Sequence, residues 1–200
     1  MTTHRILSIL SRRSTTTSGM ADRENRLSTF LMDNIGINIL VKNLHLKGDS
    51  ETRQKKIVGL ILEQLDEKGL LVSEGENWQY FRQHYGLGQY SSPEQNKSAP
   101  GATTLFDERT RSIRIYLNPH LNSFKPDYQL ETVLEEGMHS KLLEGAEKAR
   151  PVWEDEVSIK NKLLGAADLL EFNQERIRFI TGKRDEALAE LKIDEPGMRL

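Results

Sequence analysis

The chain has 200 residues, 36% of them hydrophobic and 29% charged, with a mean hydropathy of −0.58 and a formal net charge of −2. That length suits one domain with a tail, and the near-balance of charge gives neither the profile of a disordered chain nor the basic excess of a general nucleic-acid binder. Cysteine is absent, which excludes disulfides, thiolate metal sites and a cysteine nucleophile, and no apolar run approaches the roughly 18–20 residues of a membrane-spanning helix.

Residues 1–21 stand apart. They carry Arg5, Arg12 and Arg13, many Ser and Thr, a short apolar face at Ile6, Leu7, Ile9 and Leu10, and no acid. This is the composition of a mitochondrial presequence, which would place the protein in the matrix, and also of the leaders of proteins exported by bacterial needle-type systems. A frayed N-terminus of a cytoplasmic protein has it too, and Met20 offers an alternative start. The reading is therefore a disordered leader over 1–21, one domain over 22–192 and a frayed tail over 193–200.

Within the domain, the spacing of Leu27, Phe30, Leu31 and Ile35, continued by Ile37, Leu40, Val41 and Leu44, predicts helix over 24–46, with Gly36 a place where it can divide. Asp49 or Ser50 can cap a second helix with the stripe Ile57, Leu60, Ile61 and Leu65, closed by Lys68-Gly69. "LLVSEGENWQYF" places apolar and aromatic residues around Glu-Gly-Glu-Asn and reads as a β-hairpin, with Trp78, Tyr80 and Phe81 in its core. Helix followed by hairpin is the outline of a winged helix. A recognition helix should be basic, however, and residues 50–68 hold four basic residues against four acidic ones, so nucleic-acid binding ranks third among the functional readings.

Residues 86–104 are rich in Gly, Ser and Pro and predict a long loop; Gly86 and Gly88 lack the Lys-Ser/Thr that would make a phosphate loop. A second hairpin is expected at "TLFDERTRSIRIYLNP", turning at Asp107–Thr110, because Ile113 and Ile115 alternate with polar neighbours. After the helix around Leu130–Leu143, Pro151 can open another, running to about Phe172 with Trp153 as a packing anchor. A last helix at 173–192 is expected to break near Thr181-Gly182. The fold class predicted is α+β, mostly helical, with about six helices and two short β-hairpins forming a small sheet.

The chemistry concentrates in "QLETVLEEGMHSKLLEG", residues 129–145. At about 100° per residue, Leu130, Val133, Leu134, Gly137 and Met138 share a core-facing arc. Glu135 and His139 stand one turn apart and can converge on one point, with Glu136 beside them on the polar side. This stretch resembles the active-site helix of zincin metallopeptidases, whose His-Glu-x-x-His holds zinc by two histidines while the Glu activates water. Here the motif is Glu135-Glu136-Gly137-Met138-His139, with a carboxylate at the first ligand position. The resemblance implies Glu136 as general base, Glu135 and His139 as metal ligands, Glu156 or Glu154 as a third ligand from the following helix, and His120 as a further imidazole if its loop folds over. It implies a zinc site that is more anionic and less zinc-selective than the family's. The leading function is a zincin-like domain, either a metal-dependent peptidase or a degenerate, inactive one. The alternative is a non-catalytic helical protein that binds a protein or peptide partner. A di-iron four-helix site is excluded, because no second Glu-x-x-His accompanies Glu136-x-x-His139.

Overall fold

The structure is a computed structural model that describes residues 19, 21–39, 44, 46–88, 99–144 and 152–194. The expected leader apart from Gly19 and Ala21, with Met20, lies outside the described residues, as do His45, residues 89–98 of the expected loop, Pro151 and residues 195–200 of the expected tail. Among the described residues the protein is α+β and mostly helical, with six helices and one two-stranded antiparallel sheet.

Helix α1 (21–35) buries Leu27, Leu31 and Ile35, spaced four apart, along one face. Each such side chain contributes about 1.5–3 kcal/mol relative to exposure. The helix ends at Gly36, whose φ of +64° is the left-handed conformation that spares glycine a Cβ clash. There Gly36 N donates to Met32 O and Ile37 N to Leu31 O, closing the last turn. Helix α2 (Ser50–Glu67) is capped by Asp49, which accepts from Thr52 N at 2.8 Å, and buries Ile57, Val58, Ile61 and Leu65.

The first expected hairpin is a helix, α3 (Glu74–Tyr85). The reason was present in the sequence: Ser73 and Glu76 form a reciprocal capping box, so Ser-Glu-Gly-Glu starts a helix rather than turning a strand. Phe81 is buried, and Trp78 and Tyr80 pack beside it from the helix rather than from a strand pair. The hairpin expected directly after α2 is thus not formed there. The segment 70–72 instead runs beside β2, with Ile115 N donating to Leu70 O and Val72 N to Ile115 O.

The second expected hairpin forms as β1 (Ala102–Asp107) and β2 (Ser112–Leu117), with Ala102 opposite Leu117 and Asp107 opposite Ser112. Residues 102–104, expected as loop, belong to β1. On one face Tyr116 stacks on Tyr80 and Arg114 pairs with Glu76 of α3.

Helix α4 (Pro126–Leu143) opens with Pro at its first turn and lies in the middle of the molecule, packed against α2, both strands and α5. Gly137 sits under the end of α1, where an added Cβ would lie 3.0 Å from Ile35 Cγ2. Helix α5 (Val152–Gly165) ends earlier than the sequence suggests, in turns over 166–171, and Trp153, expected as an anchor, is 39% exposed. Helix α6 (Gln174–Asp194) is continuous. Thr181 does not break it, because its hydroxyl donates back to Ile177 O and because Ile180 and Ala187 anchor the helix on either side of Gly182.

The turn into α6 is stapled. Glu171, at φ +57°, receives Arg23 from α1 at 2.5 Å and Arg53 from α2 at 2.6 and 2.9 Å, with Ser50 Oγ at 3.1 Å. Gln54, buried on α2, donates to the carbonyls of Leu170 and Glu171. Burial would raise the Glu171 carboxyl, but the two guanidiniums hold it down at about 2 against an ordinary 4.5. A carboxyl depressed in the folded state stabilises the fold above pH 4.5, and that contribution drains away as pH falls toward 2. Glu171→Gln is therefore expected to lower stability at pH 7 by roughly 1–3 kcal/mol. It should also flatten the acid limb of the stability curve, as measured by urea unfolding across pH.

Candidate metal centre

Four ionisable side chains of α4 follow one another at steps of four: Asp127, Glu131, Glu135 and His139. Residues four apart share a helix face, so this is one polar stripe, and it faces α5 and α6. Arg176 of α6 takes the deep end, with Nη1 2.8 Å from Glu131 Oε2 and Nε 4.0 Å from Asp127 Oδ2. Asn173 Nδ2 donates to Asp127 Oδ2 at 2.6 Å. From α5, Lys160 Nζ lies 2.6 Å from Glu135 Oε2 and 3.6 Å from Glu131 Oε1, and Glu156, one turn earlier, meets His139 Nε2 at 3.0 Å. Side-chain exposure is lowest at Glu131, 2%, and rises from there toward the cleft, to 19% at Glu135 and 21% at Glu156.

At its open end the seam meets a cleft of about 410 Å³. Strand β1 forms one wall, from Ala102 to Phe106; Glu135, Glu136 and His139 of α4 and Asp155 and Glu156 of α5 form the other. A second cavity of about 410 Å³ lies against Glu131, Thr132, Glu135, Glu136 and Lys160.

The sequence-expected residues separate into two sets. Glu135, His139 and Glu156 come together: one ligand atom from each lies within 4.8 Å of the others. Glu136 lines the same cleft but is buried, and its Oε2 accepts from Thr104 Oγ1 of β1 at 2.6 Å. Glu154 is exposed and lies outside the group. His120 also lies outside it; its ring packs edge-on against Trp78 with centroids 5.4 Å apart, and its buried Nε2 has no hydrogen-bond partner among the described residues. His84, exposed on α3, presents Nδ1 to Tyr80 O. Sequence reasoning missed Glu131, Lys160 and Arg176. For Glu131 the signal is the four-residue spacing, which extends backwards from Glu135 to Asp127; nothing in the sequence marks Lys160 or Arg176 as facing it.

The electrostatics show a surplus of negative charge. Burial, reinforced by the charge of Glu135, pushes the Glu136 carboxyl up to about 7 against an ordinary 4.5, and the Thr104 hydrogen bond only partly offsets it. Burial likewise raises Glu131 to about 7 despite Lys160 and Arg176. Burial works against charging His139, yet the hydrogen bond to Glu156 and the surrounding carboxylates outweigh it and raise the imidazole. Glu156 would be raised by burial but is lowered by His139 and Lys160. Burial opposes the charge on Lys160, and Glu135 and Glu131 overcome it. Such a cluster is relieved by holding protons or by accepting a cation.

The donor set fits a divalent cation in kind. Two carboxylates and one imidazole are hard-to-borderline ligands suited to zinc or manganese. His139 and Glu156 already approach each other closely, and Glu135 has a second oxygen besides the one Lys160 holds. No protein-family model, curated protein or solved structure matches the chain.

Glu136 supplies a test of this electrostatic picture. A carboxyl raised in the folded state contributes stability that is intact below pH 4.5 and lost as pH rises through 7. Glu136→Gln keeps an acceptor for Thr104 and cannot ionise. Its stability is expected to fall less than that of the wild type between pH 5 and pH 8, by up to roughly 3 kcal/mol, in urea titrations at the two pH values.

Proposed function

We propose that the cleft between β1 and the α4–α5 pair is a zincin-like, metal-dependent hydrolytic site. Glu135, His139 and Glu156 would hold one divalent cation, and Glu136 would serve as general base. The convergence of three ligand atoms from two helices within 4.8 Å, at the wall of an open cleft, carries this reading. The cation, when bound, supplies Lewis acidity. Glu136 is suited to take a proton from an attacking water near neutrality, because burial and Glu135 bring its affinity for protons to about pH 7. Thr104 fixes the direction of that carboxyl through its 2.6 Å hydrogen bond. Strand β1 offers extended backbone along the opposite wall, against which a peptide substrate would lie.

A second reading has an observation of its own. Glu135 pairs with Lys160 and His139 with Glu156, so the side chains satisfy one another without an ion. On that reading the same cleft belongs to a non-catalytic domain and receives a protein or peptide partner.

Metal analysis separates the two. After equilibration with zinc or manganese and removal of free ion, the wild type is expected to retain about one ion per chain. His139→Ala is expected to lose it, and Glu136→Gln to retain it while peptide hydrolysis falls by about 10²–10⁴-fold. A folded wild type that retains no more metal than His139→Ala would leave the partner-binding reading in place.

A further inference from the structure

The seam contains a cation of its own, and it is attached to one of the three candidate ligands. Lys160 is 4% exposed, one turn from Glu156 on α5, with Nζ 2.6 Å from Glu135 Oε2 and 3.6 Å from Glu131 Oε1. Glu135 thus belongs both to the ion pair behind it and to the donor group in front of it. A tethered ammonium is present at an effective concentration that no free monovalent ion matches. An ion that adds only one charge therefore gains little by competing for Glu135, whereas a divalent ion brings twice the charge to the same carboxylates.

We propose that Lys160 is a built-in competitor for the cation site. In the ion-free protein its ammonium holds Glu135. A divalent cation binds by drawing part or all of that carboxylate away, so the ammonium sets a threshold that weakens binding and rejects monovalent ions. This rests on the cation reading of the cleft given above. It goes further in assigning to a residue outside the donor set the control of affinity and of ion charge.

The test is zinc and manganese titration calorimetry on the full, metal-stripped chain. Lys160→Met removes the ammonium but keeps a stem of similar length. Because it leaves Glu131 and Glu135 facing each other, the double variant Lys160→Met, Glu131→Gln is measured beside it. Either variant is expected to bind the divalent ion at least tenfold more tightly than the wild type, and adding His139→Ala should abolish that gain. Equal affinity in wild type and folded variant, within threefold, overturns the competitor and leaves the cation reading standing. Binding by neither, with both folded, overturns the two together. Should both variants fail to fold, the wild type decides. The Lys160 ammonium resonance in a ¹⁵N-lysine sample is expected to move on saturation with zinc. A resonance unmoved at saturation overturns the competitor, and a wild type that takes up no zinc overturns the cation reading with it.

Discussion

The architecture depends on burying a row of charges between helices. Asp127, Glu131, Glu135 and His139 form a single stripe on α4, and α5 and α6 answer it with Glu156, Lys160 and Arg176. Taking charges out of water is expensive, and pairing repays the cost only when geometry is good. Such a seam is therefore weak as a source of net stability and strong as a constraint. A one-turn slip of α5 along α4 would set Lys160 against His139 and leave Glu131 without it. Hydrophobic packing of Leu130, Leu134, Ile159 and Leu163 brings the helices together; the ion pairs decide in which register they stay.

The staple at Glu171 plays the complementary part at the periphery. It ties α1 and α2 to the turn that precedes α6, and it does so through a residue held in the left-handed region. A non-glycine residue there is strained, and the surrounding guanidiniums over-determine its place. The consequence reaches the cleft indirectly. The turn fixes where α6 begins, α6 carries Arg176, and Arg176 closes the deep end of the seam.

Much of this was legible in the sequence, for identifiable reasons. The second hairpin was readable because Ile113 and Ile115 alternate and Asp107 starts a turn. Helix α2 announced itself by Asp49 and a regular apolar stripe. Helix α3 departs from the expected hairpin because aromatic residues flanking Glu-Gly-Glu resemble a turn between strands, whereas Ser73 and Glu76 carry the contrary signal. On α4 the apolar arc from Leu130 to Met138 faces the core as its spacing predicts, but Glu136, which periodicity puts on the polar side, is buried against β1. Periodicity cannot tell solvent from a protein neighbour that offers a hydroxyl. The pairing of Glu156 rather than Glu154 with His139 follows from which side of α5 faces α4, and that phase is set by tertiary packing. Lys160 was invisible for the same reason, since a lysine in a polar helix reads as surface until a buried acid is known to face it.

The rise in exposure along the seam also grades its cohesion. Near Glu131 the paired side chains are almost fully buried, and separating them is costly; near His139 they are more exposed, and water can replace each partner. Local opening of the α4–α5 interface costs least at the His139 end, where the paired groups are most exposed. The cleft lies at that end, between β1 and the first turns of α5, so its walls are the part of the seam that the fewest dry contacts hold.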